Sequence, residues 1–212
     1  GVKGGEFVGT RRVTFKIKAV ASLSKAKVSM EFSTATPVYT GGKITANRLS
    51  VMLTVKDSDG NPHEVRLVQN VDYEVVYNNN VEAGKATAVF TGIGAYSGTI
   101  RKTFQIAPRK VDSMQVKIKM NSSHPYCKGG SRPEPQVTFG NKTLKLGRDY
   151  TLSYKQNNKS GQTARVIVKG KGNFGGSVDK TFTVTPQEIG KLKVDAADKV
   201  YQNKSNIYKT TV

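Results

Sequence analysis

Cysteine, histidine and tryptophan are nearly absent from this chain. Among 212 residues it has one cysteine (Cys127), two histidines (His63 and His124) and no tryptophan. One thiol excludes an intramolecular disulfide framework and a cysteine-based zinc cluster. Two imidazoles leave little material for triad or metal chemistry. An enzyme is therefore the least expected class, and no catalytic residue, metal site or cofactor is assigned. Long apolar runs are missing as well. Stretches such as Val51-Met52-Leu53 fall far short of the ~20 apolar residues a spanning helix needs, so no transmembrane segment is expected. No charged segment followed by an apolar one opens the chain, so no secretory leader is expected within it. Gly1 is expected to be an internal cut or a processed end. Windows with the 3.6-residue apolar period of a helix are also lacking.

Acidic residues are scarce too, with 15 Asp+Glu against 34 Lys+Arg and a formal net charge of +19. The excess is uneven. Residues 1–18 carry five basic and one acidic residue, and residues 19–108 nine and seven. Residues 109–186 carry fifteen and four, and residues 187–212 five and three. More than half of the surplus sits in the third segment, where any polyanion partner must be sought.

What the chain does have is a repeat. Gly94-Ala95-Tyr96-Ser97-Gly98-Thr99, followed by Lys102-Thr103-Phe104, returns as Gly172-Asn173-Phe174-Gly175-Gly176-Ser177, followed by Lys180-Thr181-Phe182. It also stands at the start as Gly5-Glu6-Phe7, followed by Phe15. In each copy the second aromatic follows the first by eight residues, and the copies lie 89 and then 78 residues apart. Upstream, Asp72-Tyr73 to Tyr77 matches Asp149-Tyr150 to Tyr154. Each is followed by an Asn-rich turn and a glycine. A third signature, Pro37-Val38-Tyr39, returns as Pro125-Tyr126-Cys127 and more weakly at Val200-Tyr201. The organisation read from these is the tail of a repeat over 1–18, complete modules over 19–108 and 109–186, and the head of a following repeat over 187–212.

Each unit reads as strands. Val13, Phe15 and Ile17 alternate with polar residues, as do Tyr73, Val75 and Tyr77, then Leu144 and Leu146, then Phe182 and Val184. Asp59-Gly60-Asn61-Pro62, Asn78-Asn79-Asn80, Gly140-Asn141 and Asn157-Asn158 punctuate them as turns. The expected fold class is all-β, with a small β-sandwich per unit and short proline-marked links at Pro108 and Pro186. The repeated aromatics, Tyr73, Tyr77, Tyr96, Phe104 and their counterparts, are expected to fill the cores.

These signatures together resemble the immunoglobulin-like tandem repeats of bacterial cell-surface proteins, chiefly those of Gram-positive bacteria. The resemblance covers nearly the whole chain. It implies an extracellular or wall-attached stalk or adhesin of sandwich modules. Its partner would be cell wall or a host glycan or protein, such as an immunoglobulin. The chain departs from the common pattern by about ten extra residues near Asp57–Gly60, by Cys127, and by the basic load of the second module. The sequence leaves open an isopeptide crosslink of the kind such modules sometimes carry, and oligomerisation through strand edges.

The candidate ligand site is a basic face on the second module. Lys117 and Lys119 share one side of a strand, as do Arg165, Lys169 and Lys171, with Lys145 and Arg148 adding to the ridge. A polyanion is the ligand class this suggests. No dedicated nucleic-acid site is expected, because no recognition helix or aromatic-basic RNA motif is present. Asp57 to Asn61 begins like a calcium loop but lacks its closing Glu, since Val68 stands there, so it reads as a hairpin tip. Cys127, His63 and His124 read as solvated loop residues.

Overall fold

The computed structural model describes Arg12 and residues 21–188. The strand-like run Val13–Ile17 and the weak signature at Val200 lie outside the described residues. Among the described residues the fold is all-β, with one 3-10 turn at Leu23–Lys25 and no helix long and apolar enough to cross a membrane. The described residues fall into two compact units, one reaching to Arg109 and including residues 172–175, the other formed by residues 110–171 with 176–188.

In the first unit the strands are β1 (Ala21–Ser22), β2 (Lys27–Glu31), β3 (Arg48–Lys56), β4 (Pro62–Arg66), β5 (Tyr73–Asn78), β6 (Gly84–Gly92), β7 (Tyr96–Ser97) and β8 (Thr99–Ile106). They form sheets ordered β2-β3-β4 and β5-β6-β8, antiparallel throughout, with a short parallel β1-β7 pair. The period-two pattern explains the packing. Val51 and Leu53 point inward from β3, Ala88 and Phe90 from β6, and they meet Leu23, Leu67 and Tyr73 in one buried cluster. Phe104 and Tyr77 sit at the edge of this core, half-buried and edge-to-face at 6.2 Å.

The remaining strands are β9 (Arg109–Lys110), β10 (Val116–Lys119), β11 (Ser123–Pro125), β12 (Gln136–Phe139), β13 (Lys142–Thr143), β14 (Tyr150–Lys155), β15 (Thr163–Gly170), β16 (Phe174–Gly175) and β17 (Ser177–Thr185). The second unit's sheet order repeats that of the first: β10-β12-β13 corresponds to β2-β3-β4, and β14-β15-β17 to β5-β6-β8. One strand is added: β11 pairs in parallel with β17, where the first unit has only a bridge between Val38 and Ala107. Val137, Val166, Val168, Phe182 and Val184 are fully or almost fully buried.

Several sequence expectations meet their structural answer here. The extra residues near Asp57 lengthen a hairpin: β3 has nine residues and β4 five, against four in β12 and two in β13. Its tip is closed by Asp57 Oδ1, which accepts from the Asp59 and Asn61 amides at 2.9 and 2.8 Å. Leu144 and Leu146 do not share a strand, contrary to the alternation. Leu144 is buried just after β13, and Leu146 is exposed at an isolated bridge to Tyr150. His124 is not a solvated loop residue either. It lies on β11, half-buried, with its ring edge-to-face on Phe182 at 5.5 Å and its Nε2 buried without a hydrogen bond. His63 is exposed but stands on β4 rather than in a turn. Cys127 is free and exposed.

Candidate functional site

The turn that enters β5 in the first unit and β14 in the second repeats with the same set of hydrogen bonds. The Asp72 amide donates to the Val68 carbonyl at 2.8 Å, and the Asp149 amide to the Lys145 carbonyl at 2.8 Å. The Asn70 amide bonds to Tyr73 O at 2.7 Å, and the Gly147 amide to Tyr150 O at 2.8 Å. Asn70 and Gly147 occupy the same left-handed position, with φ of 65° and 83°. Asn and Gly are the residues that tolerate this region, which explains why they alternate there. In each turn the aspartate closes the loop. Its carboxylate accepts the amide of the residue four back, Val68 at 2.7 Å or Lys145 at 2.8 Å. The following tyrosine anchors the turn in the core, each 2% exposed. A third segment completes the device. Ile93 N bonds to Asp72 O, and Lys171 N to Asp149 O, both at 2.9 Å.

This correspondence pairs Val68 with Lys145, Val71 with Arg148, and Ile93 with Lys171. The backbone is the same and the side chains differ in kind. In the first unit Val68 and Val71 stand 55% and 64% exposed. In the second, three exposed cations take the equivalent places. Arg148 forks onto Asp149, with Nε to Oδ1 at 2.9 Å and Nη2 to Oδ2 at 2.7 Å. The Lys171 ammonium donates to the Gly147 carbonyl at 2.8 Å. Both cations are thus held on one turn. Among the described residues of the turn the carboxylate is that of Asp149, 6% exposed. The fork holds the Asp149 carboxyl below the usual carboxylate range. Its hydrogen bonds with Arg148 outweigh the opposing cost of burial, and the Lys145 amide adds to them.

The seven basic residues of the sequence-derived ridge do not form one ridge. Lys145, Arg148 and Lys171 gather on the turn. Arg165 and Lys169 are on the outward face of β15, opposite Lys155 and Thr151 of β14. Lys171 lies beyond the end of β15, so it does not continue their alternation. Arg165 also approaches Asp179 Oδ2 at 3.8 Å, a partly exposed ion pair. Lys117 and Lys119 project from β10, which belongs to the other sheet. Reading the basic residues along strands hid the turn, because its three members are separated in sequence. Superposing the two Asp-Tyr signatures is the signal that finds it.

Burial pushes the phenols of Tyr73, Tyr150 and Tyr154 up, as it does for any neutral hydroxyl withdrawn from water. Tyr154 Oη donates to the Pro133 carbonyl at 2.9 Å, a structural bond. Among the described residues no group of three or more His, Cys, Asp and Glu is placed to hold a metal ion. No family model matches the chain, and neither a curated protein nor a solved structure matches it.

Proposed function

We propose that this chain is a non-catalytic repeat region of an extracellular bacterial surface protein, in which immunoglobulin-like sandwich modules serve as a stalk and the second module grips an anionic polymer. One observation carries the binding reading: the same hydrogen-bonded turn presents Val68, Val71 and Ile93 in one unit and Lys145, Arg148 and Lys171 in the other. A fold needs no cations at those places, since the first unit builds the turn without them. The stalk reading is supported by the repeated signatures and by the repeated sheet order.

The mechanism is electrostatic. Three exposed cations on one turn, with Lys169 and Arg165 on the adjoining strand, raise the local concentration of a polyanion and displace its counterions. The Asp149 fork holds the Arg148 guanidinium on the turn, so less side-chain freedom is lost when an anion docks.

The test is binding of the whole chain to lipoteichoic acid, heparin and poly-glutamate across a salt series. Saturable binding that falls steeply with salt and differs among polymers of similar charge density supports a ligand-binding module. Weak binding that ignores polymer identity and vanishes at physiological salt leaves the chain a spacer.

A further inference from the structure

The first unit carries a groove that the cationic turn does not use. It has a volume of about 360 Å³ and is formed by the irregular segment between β2 and β3, residues 32–47, together with Arg109. That is within the size range of pockets that hold small organic ligands.

The groove is built rather than incidental. The segment would be loose by length alone, but it is tied down at several points. Ile44 N bonds to the Asn80 carbonyl at 2.8 Å, and buried Asn80 returns a side-chain bond to Ile44 O at 2.9 Å. Tyr39 N bonds to Ala107 O at 2.9 Å and Ala107 N to Pro37 O at 2.8 Å. Ala46 N is received by the Tyr77 hydroxyl at 3.3 Å. A preformed wall of this kind reduces the ordering cost of binding.

Its chemistry has three parts. Phe32, half-buried, supplies an aromatic surface and is supported from behind by Phe104, with ring centroids 4.7 Å apart. Thr34, Thr40 and Asn47 supply hydroxyls and an amide. Lys43 and Arg109 supply positive charge, with Arg109 steadied by its Nε bond to the Tyr39 carbonyl at 3.0 Å. None of the described residues lining the groove is acidic. An aromatic surface suits the apolar C–H face of a pyranose. The hydroxyls and amide suit its hydroxyl groups, and the cations suit a carboxylate.

We infer that this groove binds a carboxylated sugar, a glycan residue of the uronic or sialic acid type. The site is independent of the cationic turn, since it lies in the other unit and shares none of its residues.

The experiment titrates the full chain with glucuronate and N-acetylneuraminate, with glucose as the neutral control, and follows backbone amide shifts by NMR. Saturable shifts in residues 32–47 for an acidic sugar but not for glucose are expected. Lys43→Gln should weaken that affinity about tenfold, the loss of one charge-assisted contact, with an unchanged amide spectrum elsewhere as proof of folding. The variant K145V/R148V/K171I, which removes the cationic turn, should leave it unchanged. No saturable shift, equal shifts with glucose, or full affinity in the Lys43→Gln chain would overturn the inference. Loss of sugar binding in the triple variant would overturn it too, since the ligand would then be held at the turn.

Discussion

Two turns with one backbone separate what the fold requires from what the surface adds. In both units an aspartate accepts the amide four residues back, a left-handed residue reverses the chain, and a tyrosine goes into the core. Those three features are the structural minimum, because they persist when everything around them changes. The outward positions change from valine and isoleucine to lysine and arginine. In the first unit Val68 and Val71 leave apolar surface exposed, and in the second exposed lysine and arginine stand in their places, in a chain of net charge +19. The first unit builds the turn without cations at these positions, which supports the binding reading proposed for the second.

Breaking the comparison should have the largest effect on binding. Giving the second unit the first unit's residues, K145V/R148V/K171I, is expected to reduce heparin affinity at low salt on the order of 10²-fold, from about 1 kcal/mol per cation near an anionic surface. Fluorescence anisotropy with labelled heparin reads this. The turn should survive, since Asp72 closes its own loop beside Val71 with the same backbone bond.

The reciprocal graft, V68K/V71R/I93K, sharpens the contrast. It should raise the polyanion affinity of the chain about tenfold, less than the loss above, because the segment around it holds nine basic against seven acidic residues. An unchanged affinity would mean that charge elsewhere in the second unit does the binding.

Stability should distinguish the two aspartates more modestly. Asp149→Ala removes the acceptor of the Lys145 amide and both arms of the Arg148 fork, with a cost of about 1–3 kcal/mol to the unit that contains it. Asp72→Ala removes one backbone bond in a more exposed place and should cost about 1 kcal/mol. Denaturant melts of the two variants check this ordering, and equal costs would show that the fork adds nothing.

The smallest effect is on pH dependence. The Asp149 carboxyl is held down in the folded state, below the ordinary 3.8 of an aspartate. A depressed folded value means that its stabilising contribution is complete above the unfolded value and is lost as pH falls through the folded one. Arg148→Val should therefore flatten the acid limb of a stability profile below about pH 4, where wild type steepens. Arg148 is largely exposed, so solvent screening keeps the difference small.

Much of the architecture was legible in the chain. Strand alternation around Tyr73 and Phe182 follows from a two-residue period, and the Asn-rich turns and the Asp57 hairpin tip follow from local turn chemistry. What failed were places where burial depends on distant partners. Leu144 and Leu146 alternate like a strand, but Asp149, four residues after the Lys145 between them, closes a turn there, so one is buried and the other exposed. His124 sits among polar residues in sequence, yet strand pairing with Val184 carries its ring onto Phe182. The candidate site was legible by residue and not by arrangement. All three members of the turn were among the seven basic residues singled out, but Lys171 lies beyond the end of β15 and is brought to Lys145 and Arg148 by the bonds from its amide to Asp149 O and from its ammonium to Gly147 O. The groove between β2 and β3 had no sequence signal, because irregular segments close around space in ways that periodicity does not encode.

The most direct test of the account sets three chains side by side: wild type, K145V/R148V/K171I, and V68K/V71R/I93K. The quantity is the slope of log affinity for heparin against log salt. The account predicts a slope of about −2 to −3 for wild type beyond that of the triple valine–isoleucine variant, and a steeper slope again for the reciprocal graft, as counterion release by three cations requires. Equal slopes for all three chains would contradict it, and the cations of the turn would then be surface charge without a partner.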